Sequence, residues 1–134
     1  MIKEDYVSFE TAKLLKEKGF DVKGVKVWYD GSGEMYYDRR EIKYQIKIEN
    51  HEKFFQCPTL QMAMKWLREV HKINIEVCLG FDADSELGFF YNPVISDLKN
   101  MGLGIETPEF DETEFTVYEE AAEAAILYCL KNLI

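Results

Sequence analysis

A chain of 134 residues, 47% apolar and 14% aromatic, has the length of one domain and too many aromatic residues for a disordered polymer. No apolar run reaches the ~20 residues that span a bilayer, and Met1 to Tyr6 lack the basic stretch and apolar core of a signal peptide. The net charge of −9 is uneven: residues 1–58 hold eleven basic and eleven acidic residues, residues 59–134 five basic and fourteen acidic. Phosphate binding needs clustered cations, so nucleic acid and anionic membranes are disfavoured partners for the second part.

The first predicted element is a helix from Phe9 to about Lys18. Ser8 is placed to cap it, Glu10 suits its positive end, and Phe9, Ala12, Leu14 and Leu15 make its apolar stripe. Gly19 supplies the left-handed residue that ends such a helix. Val22–Tyr29 reads as a strand, with Val25, Val27 and Tyr29 on one face and Lys26 and Trp28 on the other. Asp30-Gly31-Ser32-Gly33 is a turn signal. A second strand is predicted over Tyr36–Ile48, clearest at Ile42, Tyr44, Ile46 and Ile48.

The second helix is predicted from Pro58 or Thr59 to Val70 or His71. Leu60, Ala63, Met64, Leu67 and Val70 form its stripe, extended by Met62 and Trp66. Ile73, Ile75 and Val77 mark a third strand, and Gly80 to Gly88 an acidic turn. Phe89-Phe90-Tyr91 opens a fourth strand with Val94 and Ile95, and Pro93 places it at a sheet edge. Residues 96–115 read as loop, long for a compact domain. Thr116-Val117-Tyr118-Glu119 has the form of a capping box opening the last helix, which after Glu123 is apolar almost all round. The order α-β-β-α-β-β-α predicts a single α+β domain over 1–134, three helices on one face of a four-stranded antiparallel sheet.

Motifs that carry chemistry are few. His51 lies in a polar loop, and His71 ends the second helix, where a cationic ring would suit the dipole. Asp82-Ala83-Asp84-Ser85-Glu86 resembles the start of a calcium loop, but the sixth position is Leu87 and the twelfth Pro93, so no metal site is expected. Gly31-Ser32-Gly33 precedes no helix that could cradle phosphate. No GxSxG or HExxH occurs. Cys57, Cys78 and Cys129 are odd in number and widely spaced; Cys78 and Cys129 sit among apolar residues. Together they read as reduced cytosolic thiols, buried as small hydrophobes. No catalytic residue, cofactor or metal is assigned.

Candidate contact residues come from the aromatic and small side chains. Trp28, Tyr36 and Tyr37 flank the first turn, and Trp and Tyr are favoured interface anchors. On the last helix, Ala121, Ala124, Ala125 and Tyr128 form a second face, away from Ala122, Ile126, Cys129 and Leu133, onto which another copy could pack.

Residues 57–70, Cys57-Pro58-Thr59-Leu60-Gln61-Met62-Ala63-Met64-Lys65-Trp66-Leu67-Arg68-Glu69-Val70, and residues 118–127, Tyr118-Glu119-Glu120-Ala121-Ala122-Glu123-Ala124-Ala125-Ile126-Leu127, resemble small uncharacterised proteins from prophage-like and mobile regions of gut Bacteroidetes genomes. The resemblance implies a cytoplasmic, phage- or element-associated protein and carries no activity to transfer. The expectation is a non-enzymatic interaction or accessory protein with a protein partner or a second copy of itself, most simply as a homodimer. The alternatives are an acidic inhibitor that occupies a basic site on a nucleic-acid-handling protein, and an enzyme whose site is built from scattered residues.

Overall fold

A computed structural model describes residues 2–37 and 54–134. The expected strand positions Ile42, Tyr44, Ile46 and Ile48, and His51, lie outside the described residues. The fold is α+β, as the element pattern predicts. Among the described residues there are three α-helices and two three-stranded antiparallel sheets, which corrects the expected four-stranded sheet. The chain divides into two compact units, 1–59 and 60–134.

In the first unit, α1 spans Phe9–Glu17. Ser8 Oγ accepts the Thr11 N–H at 3.2 Å, satisfying one of the helix's orphan donors. At the other end Gly19 sits at φ +94°; its N–H bonds Lys16 O at 3.1 Å, and the Phe20 N–H bonds Leu15 O at 2.8 Å. That double closure is the Schellman arrangement, and buried Leu15 and Phe20 are its apolar pair. Strands β1 (Val27–Tyr29), β2 (Met35–Tyr37) and β3 (Phe55–Gln56) form a sheet in the order β2-β1-β3. The first strand is shorter than the predicted Val22–Tyr29. Val22 is held instead by a side chain: its N–H donates to Gln56 Oε1 at 3.1 Å, and Gln56 Nε2 donates to its carbonyl at 2.8 Å. The core-facing Val25, Val27 and Tyr29 are buried as the alternation predicts.

In the second unit, α2 spans Leu60–Val70 and buries Leu60, Ala63, Met64, Trp66 and Leu67. Burial of each large apolar side chain contributes ~1.5–3 kcal/mol. Val70, expected in the stripe, is 57% exposed. Strands β4 (Ile73–Phe81) and β5 (Phe89–Asp97) pair over nine residues, and β6 (Leu103–Gly104) pairs with Ser96 and Asp97 of β5. Helix α2 packs on β4, and α3 (Tyr118–Asn132) packs on β4, β5 and α2. Their weight falls on Ile73, Ile75 and Ile95, which are buried.

The fourth predicted strand, β5, is central in the order β4-β5-β6 rather than at an edge. Pro93 is tolerated because the neighbour on its far side is interrupted. Tyr91 donates its N–H to Phe115 O at 2.7 Å, and Ile95 O accepts from the Ile105 N–H at 2.8 Å, both on the side away from β4. Pro93 is in phase with both, so its missing donor falls between these two partners. The predicted loop 96–115 contains β6 and 3-10 turns at Leu98–Asn100 and Pro108–Phe110.

Candidate interaction surface

The register sorts the three aromatic candidates of the first unit. Trp28 pairs with Tyr36, so the two share a sheet face, whereas Tyr37 pairs with Val27 and belongs to the other face. Tyr37 is 58% exposed; Trp28 and Tyr36 are half-buried. The Tyr36 hydroxyl donates to Asp30 Oδ2 at 3.0 Å. Asp30 Oδ1 accepts from Ser32 Oγ at 2.6 Å, Ser32 N–H at 2.8 Å and Glu34 N–H at 3.0 Å. The Ser32 hydroxyl, then these amides and Tyr36, hold the Asp30 carboxyl down at about 2, and the Asp30 acceptor in turn raises the Tyr36 phenol. This carboxylate is committed to its turn.

Trp28 also lines a recess of about 430 Å³ with Lys16, Phe20, Asp21, Phe54 and Gln56. Two of its polar side chains are already engaged: Gln56 bonds Val22, and Lys16 Nζ donates to Phe54 O at 3.0 Å while lying 4.9 Å from the Phe55 ring centre; Asp21 is exposed at its rim. The recess therefore offers mainly apolar contact.

Of the last-helix candidates, Ala121 and Ala125 are fully buried with Ala122, Ile126, Cys129 and Leu130 in the chain's own core. No partner reaches Ala121 or Ala125 without opening the fold. Tyr128 is half-buried; its ring centre lies 5.6 Å from that of Phe110, and its hydroxyl donates to Glu106 O at 3.4 Å. It pins the acidic connection 105–117 to α3. The predicted capping box is also corrected. Helix α3 begins at Tyr118, its N-cap is Val117, and no side chain caps it. The bridge between Phe115 and Tyr91 keeps the chain extended there, leaving Thr116 one position too early.

The acidic turn between β4 and β5 is closed from within. Asp82 Oδ1 accepts the Asp84 N–H at 3.0 Å, Ser85 Oγ donates to Asp82 O at 2.9 Å, and Gly88 N–H donates to Ser85 Oγ at 3.0 Å. A hydrogen bond between Asp82 and Glu114 lowers the Asp82 carboxyl and raises that of Glu114, so the pair holds one proton more readily than two separate acids. Among the described residues no group of three His, Cys, Asp or Glu could hold a metal ion. Around this turn Leu79, Phe81 and Leu87 are 55%, 82% and 52% exposed.

His71 stacks edge-on against Trp66, ring centres 4.7 Å apart, and burial, then Lys99, lowers its pKa. The ring is thus held toward its neutral form, not the expected cationic cap. Cys57 and Cys129 are buried, and burial pushes the Cys129 thiol up to about 12. Cys78, expected to be buried, is half-exposed because it lies on the face of β4 away from the helices. Among the described residues, no helix is long and apolar enough to cross a membrane. No family model, curated protein or solved structure matches the chain.

Sequence reading missed the hairpin tip as a surface. The signal was present, since Leu79 and Phe81 continue the alternation of Ile73, Ile75 and Val77 beyond the reach of the helices.

Proposed function

We propose that this chain is a non-enzymatic interaction protein whose contact surface lies on the β4–β5 hairpin of the second unit. The observation that carries the reading is the exposure of Leu79, Phe81 and Leu87 beside Asp82, Asp84 and Glu86. Large apolar side chains grouped on a surface mark interaction sites, and surrounding carboxylates keep such a patch soluble. The resemblance of 57–70 and 118–127 to phage- and element-associated proteins adds a cytoplasmic accessory setting. The experiment places a photo-crosslinking benzoylphenylalanine at position 81 in the native host, with exposed Glu17 as the control position. A discrete adduct from 81, absent from 17 and lost when Leu79→Lys is added, supports the reading. Absence of any adduct from 81 overturns it.

A second reading is an acidic inhibitor that takes a basic site on a nucleic-acid-handling partner. It is favoured by the exposure of Glu106, Glu109, Asp111, Glu112 and Glu114 along one connection. Replacing these five by Gln or Asn would abolish such binding and leave adducts from 81 intact.

A further inference from the structure

Strand β4 is the free edge of its sheet, and its chemistry matches itself. The direction of its main-chain groups follows from β5. Tyr91, in register with Leu79, sends its N–H away from β4 to Phe115, and Ile95, in register with Ile75, sends its carbonyl away to Ile105. In an antiparallel ladder, directly opposed residues either exchange both bonds or both turn outward. Leu79 and Ile75 therefore turn outward, and the two-residue period carries Ile73, Val77 and Phe81 with them. Lys72 agrees: its carbonyl faces β5 and accepts the Leu98 N–H at 2.8 Å. Among the described hydrogen bonds, none is made by the outward N–H or C=O groups of these five residues.

Edges of this length are ordinarily blunted by Lys, Pro, a bulge or a covering segment. β4 pairs with β5 without a bulge, contains no Lys or Pro, and carries one charge, Glu76. Along its helix-facing side, exposure rises from buried Ile73 and Ile75 to bare Leu79 and Phe81.

We infer that β4 pairs antiparallel with β4 of a second copy about a two-fold axis at Val77, joining two sheets into one. This rests on the interaction reading above and names the partner. In that register Ile75 faces the partner's Leu79 and Ile73 faces the partner's Phe81, so each bare half meets a covered half. All five pairs join outward-turned groups, as closely spaced hydrogen bonding requires. The extended ladder ends there, because Lys72 is left-handed at φ +57° and its Nζ donates to Glu69 O at 2.9 Å. Glu76 faces the partner's Cys78, so no like charges meet within it. The two-fold makes the surface isologous: the same patch serves both copies.

Sedimentation equilibrium of the full chain at micromolar concentration is expected to give twice 15.7 kDa. Phe81→Lys alters an exposed side chain and is expected to raise the dimer dissociation constant at least about tenfold, because the change acts twice across the axis. Val77→Pro removes an outward N–H and no β4–β5 bond, with the same expected result. A dimer that withstands both Phe81→Lys and Val77→Pro, each with a wild-type circular dichroism spectrum, overturns the inference. So does a monomeric mass throughout. If the chain is monomeric and position 81 still gives a discrete adduct with a different protein, this inference falls and the interaction reading stands; with no adduct, both fall.

Discussion

The ring of Phe90 lies across the backbone of Gly80, its directly opposed neighbour in the β4–β5 ladder. A Cβ built at position 80 would meet Phe90 Cζ first and Cε1 at 2.7 Å, inside any real contact. The ring takes the space that the missing side chain leaves, an arrangement that protects a glycine backbone within a strand. One Hα of Gly80 is expected far from its random-coil chemical shift and near it in Phe90→Leu. Gly80→Ala is expected to displace the ring while keeping the sheet. A cross-strand aromatic contact is worth about 0.2–1 kcal/mol, so the urea midpoint should fall only slightly. An unperturbed Gly80 Hα in the wild type would contradict the stacking.

Two candidate caps separate cleanly. Ser8 bonds the Thr11 amide, so Ser8→Ala is expected to cost about 0.5–2 kcal/mol. Thr116 stands one residue before the α3 cap, so Thr116→Ala is expected to stay within about 0.5 kcal/mol of wild type. Urea unfolding of both variants checks the contrast. Equal losses would mean that Thr116 caps α3 after all.

Thiol labelling is expected in two phases. Half-exposed Cys78 reacts in the native state, whereas buried Cys57 and Cys129 wait for opening. The Cys129 thiol, raised to about 12, is also almost wholly protonated at neutral pH. Cys78→Ser should abolish the fast phase. A fast phase that remains in Cys78→Ser would contradict the burial of the other two.

The Asp30 turn has a defined acid dependence. Its carboxyl falls from 3.8 to about 2 on folding, so the folded chain binds that proton less readily than the unfolded one. The stabilising contribution is present above 3.8 and is lost as the pH falls through about 2. The Ser32 and Glu34 amide resonances, whose N–H groups Asp30 accepts, should titrate with a midpoint near 2. Asp30→Asn should remove that titration. A midpoint near 4 would mean that the turn bonds do not hold in solution.

Local chemistry was legible along the chain. The cap at Ser8, the stop at Gly19, the stripe of α2 and the alternation of β4 each arise from bonds or burial among residues within about one or two turns, or on one pleat, so their spacing records them. The exposed tip continues the β4 pattern too, yet period two gives Ile75 and Phe81 the same face without saying which of them a helix covers. Tertiary structure decided that, along with everything that joins distant segments. β3 and β6, two residues each, are too short to show a period and exist only because β1 and β5 offer them an edge. Gln56 takes the place of a strand beside Val22, thirty-four residues away. The start of α3 moved to Tyr118 because Phe115 is held by Tyr91, and Ala121 and Ala125 are buried because α3 packs on both long strands and on α2. Such contacts depend on which chain segments close on each other. Composition and periodicity do not encode that choice, whereas the number of main-chain groups and apolar faces that must be satisfied at once does determine it.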